Sequence, residues 1–327
     1  MFSTRLALFL QGKSSIQLPM KARSPRNKTL FITEEEKREL GRRVFNTRRL
    51  PEHFTDCTIC ADLLRIIDKI PNHCADLIIV DPPYNLNKQF GSSHFHAISD
   101  EEYRTFVRSW LPGVIEKLKP DGSLYICGDW RSSVVLYDEL RPLHVLNRIT
   151  WQREKGRGAM RNWKNGMEDI WFAVADKENY HFDVDAVKQR RRVLAPYKAN
   201  GMPKDWEQTE NGNFRNTFPS NFWDDISIPY WSMKENTVHP TQKPEKLIAK
   251  LILASSAPGD LVFDPFVGSG TTSVVAKKLG RHYLGIERDK TYACITEKRL
   301  ALAEKDKTIQ GYADGVFWER NTAAYQK

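Results

Sequence analysis

Cysteine and long apolar runs are both scarce in this chain of 327 residues. Five cysteines are too few for a disulfide framework, which excludes a disulfide-stapled secreted fold and fits a reducing compartment. No apolar run approaches the roughly 20 residues that cross a bilayer, and the apolar stretch at 6–10 is too short for a secretory signal. The sequence therefore predicts a cytoplasmic protein without a membrane partner, although its Ser/Arg/Lys-bearing start leaves an organelle presequence open.

Metal-binding and dinucleotide-binding patterns are also missing. Cys57 and Cys60 form C-x-x-C, but Cys74, Cys127 and Cys294 stand alone, whereas a structural zinc site needs four ligands. No metal is expected, and buried thiols in strands are the preferred interpretation. The chain has neither G-x-G-x-x-G nor the P-loop lysine, which argues against a nicotinamide dehydrogenase.

The net charge of +9 is concentrated at one end. Residues 1–50 hold twelve lysines and arginines against four glutamates, so the rest of the chain is almost neutral. This basic N-terminal extension is either an electrostatic arm for a polyanion or a solvated tail, and the sequence favours neither.

Strand and helix signals alternate along most of the chain. Apolar runs predict strands at 58–61, 75–80, 123–127, 145–151, 169–175, 261–263 and 283–286. Helical spacing and capping patterns predict helices at 33–44, 63–70, 99–119, 132–140, 244–255, 271–279 and 291–304. Between 180 and 236 these signals fade, and charges and aromatics scatter among Asn, Pro and Gly. The pattern predicts one doubly wound, mostly parallel α/β domain that is interrupted once.

A glycine-rich loop follows the predicted strand at 261–263. Its sequence is Asp264-Pro265-Phe266-Val267-Gly268-Ser269-Gly270, and its glycines let the backbone approach a ligand at the carboxyl edge of a sheet. Glu287 ends the next strand, where an acid suits ribose hydroxyls. Because the loop is not built for a diphosphate, it predicts a nucleoside ligand without phosphates, such as S-adenosylmethionine. A purely structural turn is the alternative.

A second motif, Asp81-Pro82-Pro83-Tyr84, directly follows the strand at 75–80. Two prolines fix φ and remove two N–H donors, so the turn presents acceptors in a rigid array. Asp81 and the Pro82 carbonyl suit the two hydrogens of an exocyclic amino group, and Tyr84 offers an aromatic face to a base that has left its helix. A plain strand-ending turn is the less favoured explanation.

The two motifs together resemble the DNA amino-methyltransferases that act on adenine N6 or cytosine N4. Their order along the chain is similar to the beta group of that family, and so is the segment His239-Pro240-Thr241-Gln242-Lys243-Pro244. The resemblance covers about 58–175 and 237–302. It implies a circularly permuted, Rossmann-like sheet in which 261–263 is the first strand, 283–286 the second, 58–61 the third and 75–80 the fourth.

The resemblance also implies a division of the chain. Residues 51–179 would be the catalytic half of the methyltransferase domain and 237–310 the cofactor-binding half. Residues 180–236 would be the inserted target-recognition region, flanked by the basic extension at 1–50 and a C-terminal tail at 311–327.

Site residues follow by the same resemblance. The catalytic group is Asp81, Pro82, Pro83 and Tyr84. The cofactor group is Asp62, Leu63, Asp81, His239, Thr241, Gln242, Lys243, Asp264, Pro265, Phe266, Gly268, Ser269, Gly270, Thr271, Glu287 and Arg288. The DNA-binding group is Arg157, Arg161, Lys164, Arg190, Arg191 and Arg192. Relatives usually carry Gly-Asp where this chain has Ala61-Asp62.

The expected activity is methyl transfer from S-adenosylmethionine to adenine N6 of a base flipped out of double-stranded DNA. Cytosine N4 is the nearest alternative, because the D-P-P-Y motif occurs with both targets. RNA or a protein glutamine is a second, and a nucleoside-binding domain without catalysis is a third. A companion restriction endonuclease, and either a monomer or a homodimer, are also expected.

Overall fold

Alternating strands and helices are the dominant feature of the protein, as a computed structural model shows for residues 24–86, 88–90, 93–95, 97–153, 161–193 and 198–319. Helices in this part of the chain are α1 (Glu34–Leu40), α2 (Asp100–Arg108), α3 (Leu111–Ile115), α4 (Ser132–Glu139), α5 (Glu245–Ser255), α6 (Thr271–Lys278) and α7 (Lys290–Lys305). Strands are β1 (Phe45–Asn46), β2 (Cys57–Cys60), β3 (Ala75–Val80), β4 (Lys88–Phe90), β5 (Ser93–Phe95), β6 (Leu118–Gly128), β7 (His144–Gln152), β8 (Met167–Val174), β9 (Gln189–Arg192), β10 (Lys198–Ala199), β11 (Met202–Pro203), β12 (Glu207–Thr209), β13 (Gly212–Thr217), β14 (Phe222–Trp223), β15 (Leu261–Asp264), β16 (His282–Glu287), β17 (Tyr312–Ala313) and β18 (Val316–Trp318).

The main sheet has the order β1-β2-β16-β15-β3-β6-β8-β7-β14. All of its neighbours pair in parallel except those of β8, which is antiparallel to both β6 and β7. Strands β15, β16, β2 and β3 therefore occupy the four positions that the permuted order predicts. The predicted doubly wound, mostly parallel sheet is confirmed.

Both faces of the main sheet are covered, which explains the continuous apolar strands. Leu77 and Ile79 of β3 pack towards α5 and α6, while Ile78 and Val80 pack towards α2, α3 and α4. All four side chains are at most 1% exposed. At about 1.5–3 kcal/mol for each fully buried aliphatic side chain, this burial is the main stabilising term for the central strands.

Two predicted helices differ from the structure. The predicted helix at 63–70 is a pair of 3₁₀ turns, Leu63–Arg65 and Ile67–Lys69. Two such short turns are enough to bury the apolar residues of this segment in the core, so a continuous α-helix is not required. The predicted helix at 99–119 is two helices, α2 and α3, and β6 begins before its expected end. Both predicted capping boxes are present, at Thr33 and at Ser99.

The region between the two halves forms a second sheet with a strand order of β12-β13-β9-β18-β17. Strands β17 and β18 come from the predicted C-terminal tail, so that segment shares a sheet with the insert. Strand β14, also within the insert, pairs with β7 at the edge of the main sheet. From the basic extension, α1 packs on α7, and β1 pairs with β2. No helix in the described ranges is long and apolar enough to span a membrane.

Candidate active site

Four acidic residues lie at one edge of the main sheet because each follows or ends a parallel strand. Asp81 follows β3, Asp264 ends β15, Glu287 ends β16, and Asp62 lies just beyond β2. The register confirms a common edge, since Glu287 lies beside Cys60 of β2. A cleft of about 320 Å³ opens there. All the predicted catalytic residues line it, and so do all the predicted cofactor residues except Gly270.

Asp81 is held by two donors on one of its carboxylate oxygens. The Tyr84 hydroxyl donates to Oδ1 over 2.8 Å, and the Lys243 ammonium lies 2.7 Å from the same oxygen. Lys243 Nζ also donates to the Tyr84 hydroxyl over 3.1 Å. Within the described part of the chain Oδ2 has no hydrogen-bond donor, and the Asp81 side chain, which lines the cleft, is 22% exposed.

The D-P-P-Y turn is fixed from behind. Tyr103 of α2 donates its hydroxyl hydrogen to the Pro83 carbonyl over 3.1 Å. The backbone N–H of Asn85 donates to the Ser132 hydroxyl over 3.0 Å, at the start of α4. Among the described residues the Pro82 carbonyl receives no such donor. The turn is therefore rigid and keeps one free carbonyl acceptor.

Lys243 is buried between two carboxylates, of which the sequence predicted one. Burial alone lowers the pKa of Lys243, but Asp81 and Glu168 outweigh it, so the pKa is raised and the side chain stays charged. Glu168, at the start of β8, lies 3.2 Å from Lys243 Nζ and forms an ion pair with Arg153. No motif surrounds Glu168 in the sequence, and only the fold brings it to Lys243.

Hydrogen bonds donated to the carboxylate of Asp264 shape the glycine-rich loop. Its Oδ1 accepts from the Phe266 N–H over 2.9 Å and its Oδ2 from the Thr272 hydroxyl over 2.6 Å. Burial raises the pKa of Asp264 to about 7 in spite of these donors. Gly268 has φ +56°, and a Cβ there would meet His239 at 3.1 Å, so only glycine lets this loop pass so close to the histidine.

Glu287 is oriented by two backbone N–H groups. Gly268 donates to Oε2 over 3.0 Å, and Asp289 donates to Oε1 over 2.7 Å. Burial, the largest cause, raises the pKa of Glu287 to about 7. Each oxygen keeps a lone pair for a further donor. Asp62 accepts from the Leu64 N–H over 3.0 Å, which fixes its side chain at the cleft.

Gly270 is the one predicted cofactor residue that does not line the cleft. It adopts φ +88° at the N-terminus of α6, and a Cβ there would lie 2.6 Å from the Thr296 side chain of α7. The glycine therefore permits the turn and the close packing of two helices. Its predicted contact with a cofactor has no counterpart in the lining of the cleft.

An aromatic wall of the cleft was not predicted from the sequence. Phe106 and Trp110 line it next to Phe266, and the Trp110 and Phe266 rings meet edge to face with centroids 5.0 Å apart. Trp110 is 2% exposed, and its Nε1 has no hydrogen-bond partner among the described residues. The i, i+4 spacing of Phe106 and Trp110 was the available signal, but it also fits the core face of a helix. Tyr292, edge to face with His239, is a further unpredicted lining residue.

The segment at 239–243 is anchored by Gln242. Its Oε1 accepts from the N–H and hydroxyl of Thr237 over 3.0 and 2.8 Å, and its Nε2 donates to the Glu235 carbonyl over 2.7 Å. The Thr271 hydroxyl donates to the Lys243 carbonyl over 3.0 Å, which ties this segment to the glycine-rich loop. Gln242 therefore positions Lys243 as well as lining the cleft.

The predicted DNA-binding residues fall into separate groups. Arg161 and Lys164 are exposed on the loop that joins β7 and β8, at the same edge as the cleft, and Arg157 lies outside the described residues. Arg190 instead pairs with Glu207 and lies over the Phe214 and Trp318 rings. Its neighbours on β9 are Arg191, which lies 3.4 Å from Glu319, and the exposed Arg192.

A crevice lined by acids at the carboxyl edge of a doubly wound sheet defines a nucleoside-binding α/β protein, and comparison with known proteins narrows that class. The DNA methylase family model matches residues 75–298. DNA adenine methyltransferase YhdJ of Escherichia coli is 36% identical over 75% of this chain and 82% of its own. Type II methyltransferase M.HpaI of Haemophilus parainfluenzae is 33% identical over 74% of this chain and 73% of its own.

Solved structures agree on the fold. The PvuII DNA methyltransferase (cytosine-N4-specific) superposes with a TM-score of 0.54 at 18% identity, over 77% of this chain and 92% of that one. The M1.HpyAVI–SAM complex gives 0.52 at 24% identity, over 74% and 98%. The chain belongs to the DNA methylase family. This confirms the predicted class of enzyme, a DNA methyltransferase that uses S-adenosylmethionine.

Proposed function

We propose that this enzyme methylates adenine N6 in double-stranded DNA and acts on a base turned out of the helix into the cleft. The observation that carries the proposal is the state of Asp81. Lys243 and Tyr84 hold its Oδ1, whereas no donor among the described residues occupies Oδ2, and Asp81 lines the cleft. An amino group brings two hydrogens, for which Oδ2 and the Pro82 carbonyl are two fixed acceptors.

The residues of the cleft fit S-adenosylmethionine. The volume of the cleft, about 320 Å³, is within the range of small-molecule sites. Glu287 has two oriented oxygens for the two ribose hydroxyls, and Asp62 would accept the adenine amino group. The aromatic wall, with the unpartnered Nε1 of Trp110, would enclose the adenine ring. The other predicted cofactor residues that line the cleft would complete this site.

The chemistry assigned to the protein is positioning and lone-pair localisation. Exocyclic amino nitrogens are weak nucleophiles because their lone pairs delocalise into the ring. Asp81 Oδ2 and the Pro82 carbonyl would accept the amino hydrogens and draw the nitrogen towards a tetrahedral arrangement. When bound, S-adenosylmethionine supplies an electrophilic methyl group, whose bond to sulfur breaks as the bond to nitrogen forms. The nitrogen then loses a proton, which Asp81 Oδ2 would accept.

Adenine is favoured over cytosine as the target. The motif carries Asp at position 81, and the relative at 36% identity is named a DNA adenine methyltransferase. The cytosine-N4-specific neighbour shares the fold at only 18% identity, so it carries no argument about the base. RNA and protein targets are also less favoured, because relatives that act on them usually carry Asn at the position of Asp81.

Recognition of DNA is assigned to the insert at 180–236 and to the loop that carries Arg161 and Lys164. That loop lies at the catalytic edge, where cationic side chains can contact phosphates beside an extruded base. Turning the base out costs a few kcal/mol, which these contacts would offset. The companion restriction endonuclease stays a prediction. The oligomeric state is also untested, and light scattering on the purified protein distinguishes a monomer from a homodimer.

Methyl-labelled S-adenosylmethionine and unmodified DNA test the proposed function. After incubation, the DNA is digested to nucleosides, and label is expected in N6-methyladenine. Label in N4-methylcytosine would replace adenine by cytosine as the target. Binding of the cofactor without label in any nucleoside of DNA would leave a nucleoside-binding domain and end the proposal.

A further inference from the structure

Glu168 is a buried carboxylate that belongs to neither motif and lies next to Tyr84 of the proposed catalytic turn. Its side chain is 3% exposed and lies on β8, which pairs with a strand on both sides. Its Oε2 lies 3.3 Å from the Tyr84 hydroxyl oxygen and 3.2 Å from Lys243 Nζ. It also pairs with Arg153, at the end of β7. Glu168 is not among the described residues that line the cleft, so it does not touch a ligand there.

Glu168 supplies the second negative charge of a buried charge cluster around Lys243. Two carboxylates, Asp81 and Glu168, face two cations, Lys243 and Arg153. A buried ammonium group needs a counter-charge, because its desolvation costs several kcal/mol. Without Glu168, Asp81 would be the only anion in contact with Lys243. Its carboxylate would then be drawn to the lysine and would accept less well from a substrate amino group.

We infer that Glu168 is a positioning residue that neutralises Lys243 and orients Tyr84, so that Asp81 remains available to the amino group of the target base. The inference rests on the proposed function. Because the Tyr84 hydroxyl has one hydrogen and two carboxylate neighbours, Glu168 gives it a second acceptor when the base enters. The rigid strand pairing of β8 keeps this acceptor in place while the cleft fills.

Steady-state kinetics of Glu168→Gln test the inference. The substitution keeps size and polarity but removes the charge, and we expect kcat to fall by about 100-fold, as for a misplaced catalytic group. The KM values for DNA and S-adenosylmethionine should change little, because Glu168 does not line the cleft. A merely structural role would instead lower the melting temperature and leave kcat of the folded enzyme unchanged.

Two further variants make the test specific. Arg153→Gln in the Glu168→Gln background restores charge balance, so part of the lost kcat should return. Two independent losses would add instead, and that result would overturn the inference. Glu139→Gln is the matched control, since Glu139 is a largely buried partner of Arg104 and Arg108 away from the cleft. It should lower the melting temperature and preserve kcat.

A measurement that needs no turnover separates this inference from the proposed function. NMR of enzyme labelled at the lysine ε-carbons reports the ion pairing of Lys243 at neutral pH through its ε-methylene chemical shift. Glu168→Gln should shift that signal even if no DNA is methylated. If the Lys243 signal is the same in Glu168→Gln and in the wild type, Glu168 does not pair with its charge and the inference fails. If the signal shifts but the wild type labels no DNA, the proposed function alone fails.

Discussion

The catalytic edge of the main sheet and the sheet of the insert are organised in different ways. At the edge, the four acidic residues of the cleft end or follow strands of the main sheet, so their places are set by the parallel pairing. In the insert, Arg190 of β9 is held between Phe214 and Trp318, the latter 128 positions further along the chain. Positions at the edge follow from local sequence, whereas positions in the insert follow from distant contacts.

The attachment of the insert shows the same reliance on distant contacts. Asp225 of the insert contacts two buried lysines of α5, with Lys246 Nζ at 2.6 Å and Lys250 Nζ at 3.2 Å. Lys250 also lies over the Trp223 and Phe317 rings, at 4.9 and 5.5 Å from their centroids. Burial lowers the pKa of Lys250 to about 8, although Asp225 opposes this change. The insert is therefore fastened to α5 by a buried charge cluster.

The largest effect is expected at the catalytic edge, from Asp81→Ala. Removing the proposed acceptor should reduce kcat by about 100- to 1,000-fold, the usual loss when one preorganised polar group is deleted. Lys243 keeps Glu168 as its counter-ion, so the variant should fold and bind S-adenosylmethionine. Single-turnover methylation and calorimetric cofactor binding measure the two properties. Near-normal turnover would remove Asp81 from the mechanism.

The second largest effect is expected in the insert, from Asp225→Asn. Two buried ammonium groups lose their counter-charge, and such a loss costs about 3–5 kcal/mol of stability. The damage should be confined to the attachment of the insert, so KM for DNA should rise while cofactor affinity is kept. Chemical denaturation and calorimetry follow both. Glu304→Gln, which breaks the exposed pair with Lys277, is the control and should have little effect.

The sequence predicted the catalytic edge well because both motifs join a buried strand to a turn of defined geometry. Asp81, Asp264 and Glu287 lie at one edge simply because their strands are parallel. Glu168 escaped prediction because β8 is antiparallel, which brings the start of that strand to the edge where the others end. Nothing local distinguishes such a residue from an ordinary strand glutamate.

The insert was less predictable for a physical reason. Its strands are between two and six residues long, so most are too short to display an alternating pattern, and β18, which pairs with β9, comes from the end of the chain. Arg190 was predicted to contact DNA because arginine side chains suit phosphates and guanine edges. Its guanidinium stacks on aromatic rings and pairs with Glu207, contacts that only the tertiary structure reveals.

A smaller effect is expected from Glu287 at the catalytic edge, namely a dependence of cofactor affinity on pH. Its pKa is raised to about 7, and only the ionised carboxylate can accept from both ribose hydroxyls. Cofactor affinity should therefore be lost as the pH falls through that value, and the dissociation constant should be about tenfold higher at pH 6 than at pH 8. Calorimetry at the two values measures it.

The variant Glu287→Gln should bind weakly at both pH values, since it resembles the protonated acid. Asp264 also has a pKa raised to about 7 and lies in the same cleft. If Glu287→Gln keeps the tenfold dependence, Asp264 carries it and the ribose contact of Glu287 is wrong.

The smallest effect concerns two basic residues that the sequence placed in one group. Lys164 is exposed on the loop at the catalytic edge, whereas Arg190 is engaged inside the insert. A phosphate contact contributes about 0.9 to the slope of log affinity against log salt concentration. Lys164→Gln should therefore reduce that slope by about one and leave the melting temperature unchanged. Arg190→Gln should leave the slope unchanged and lower the melting temperature, because the Arg190 guanidinium stabilises the insert. Equal slopes for both variants and the wild type would mean that the loop does not reach the DNA backbone, and recognition would then fall to the insert alone.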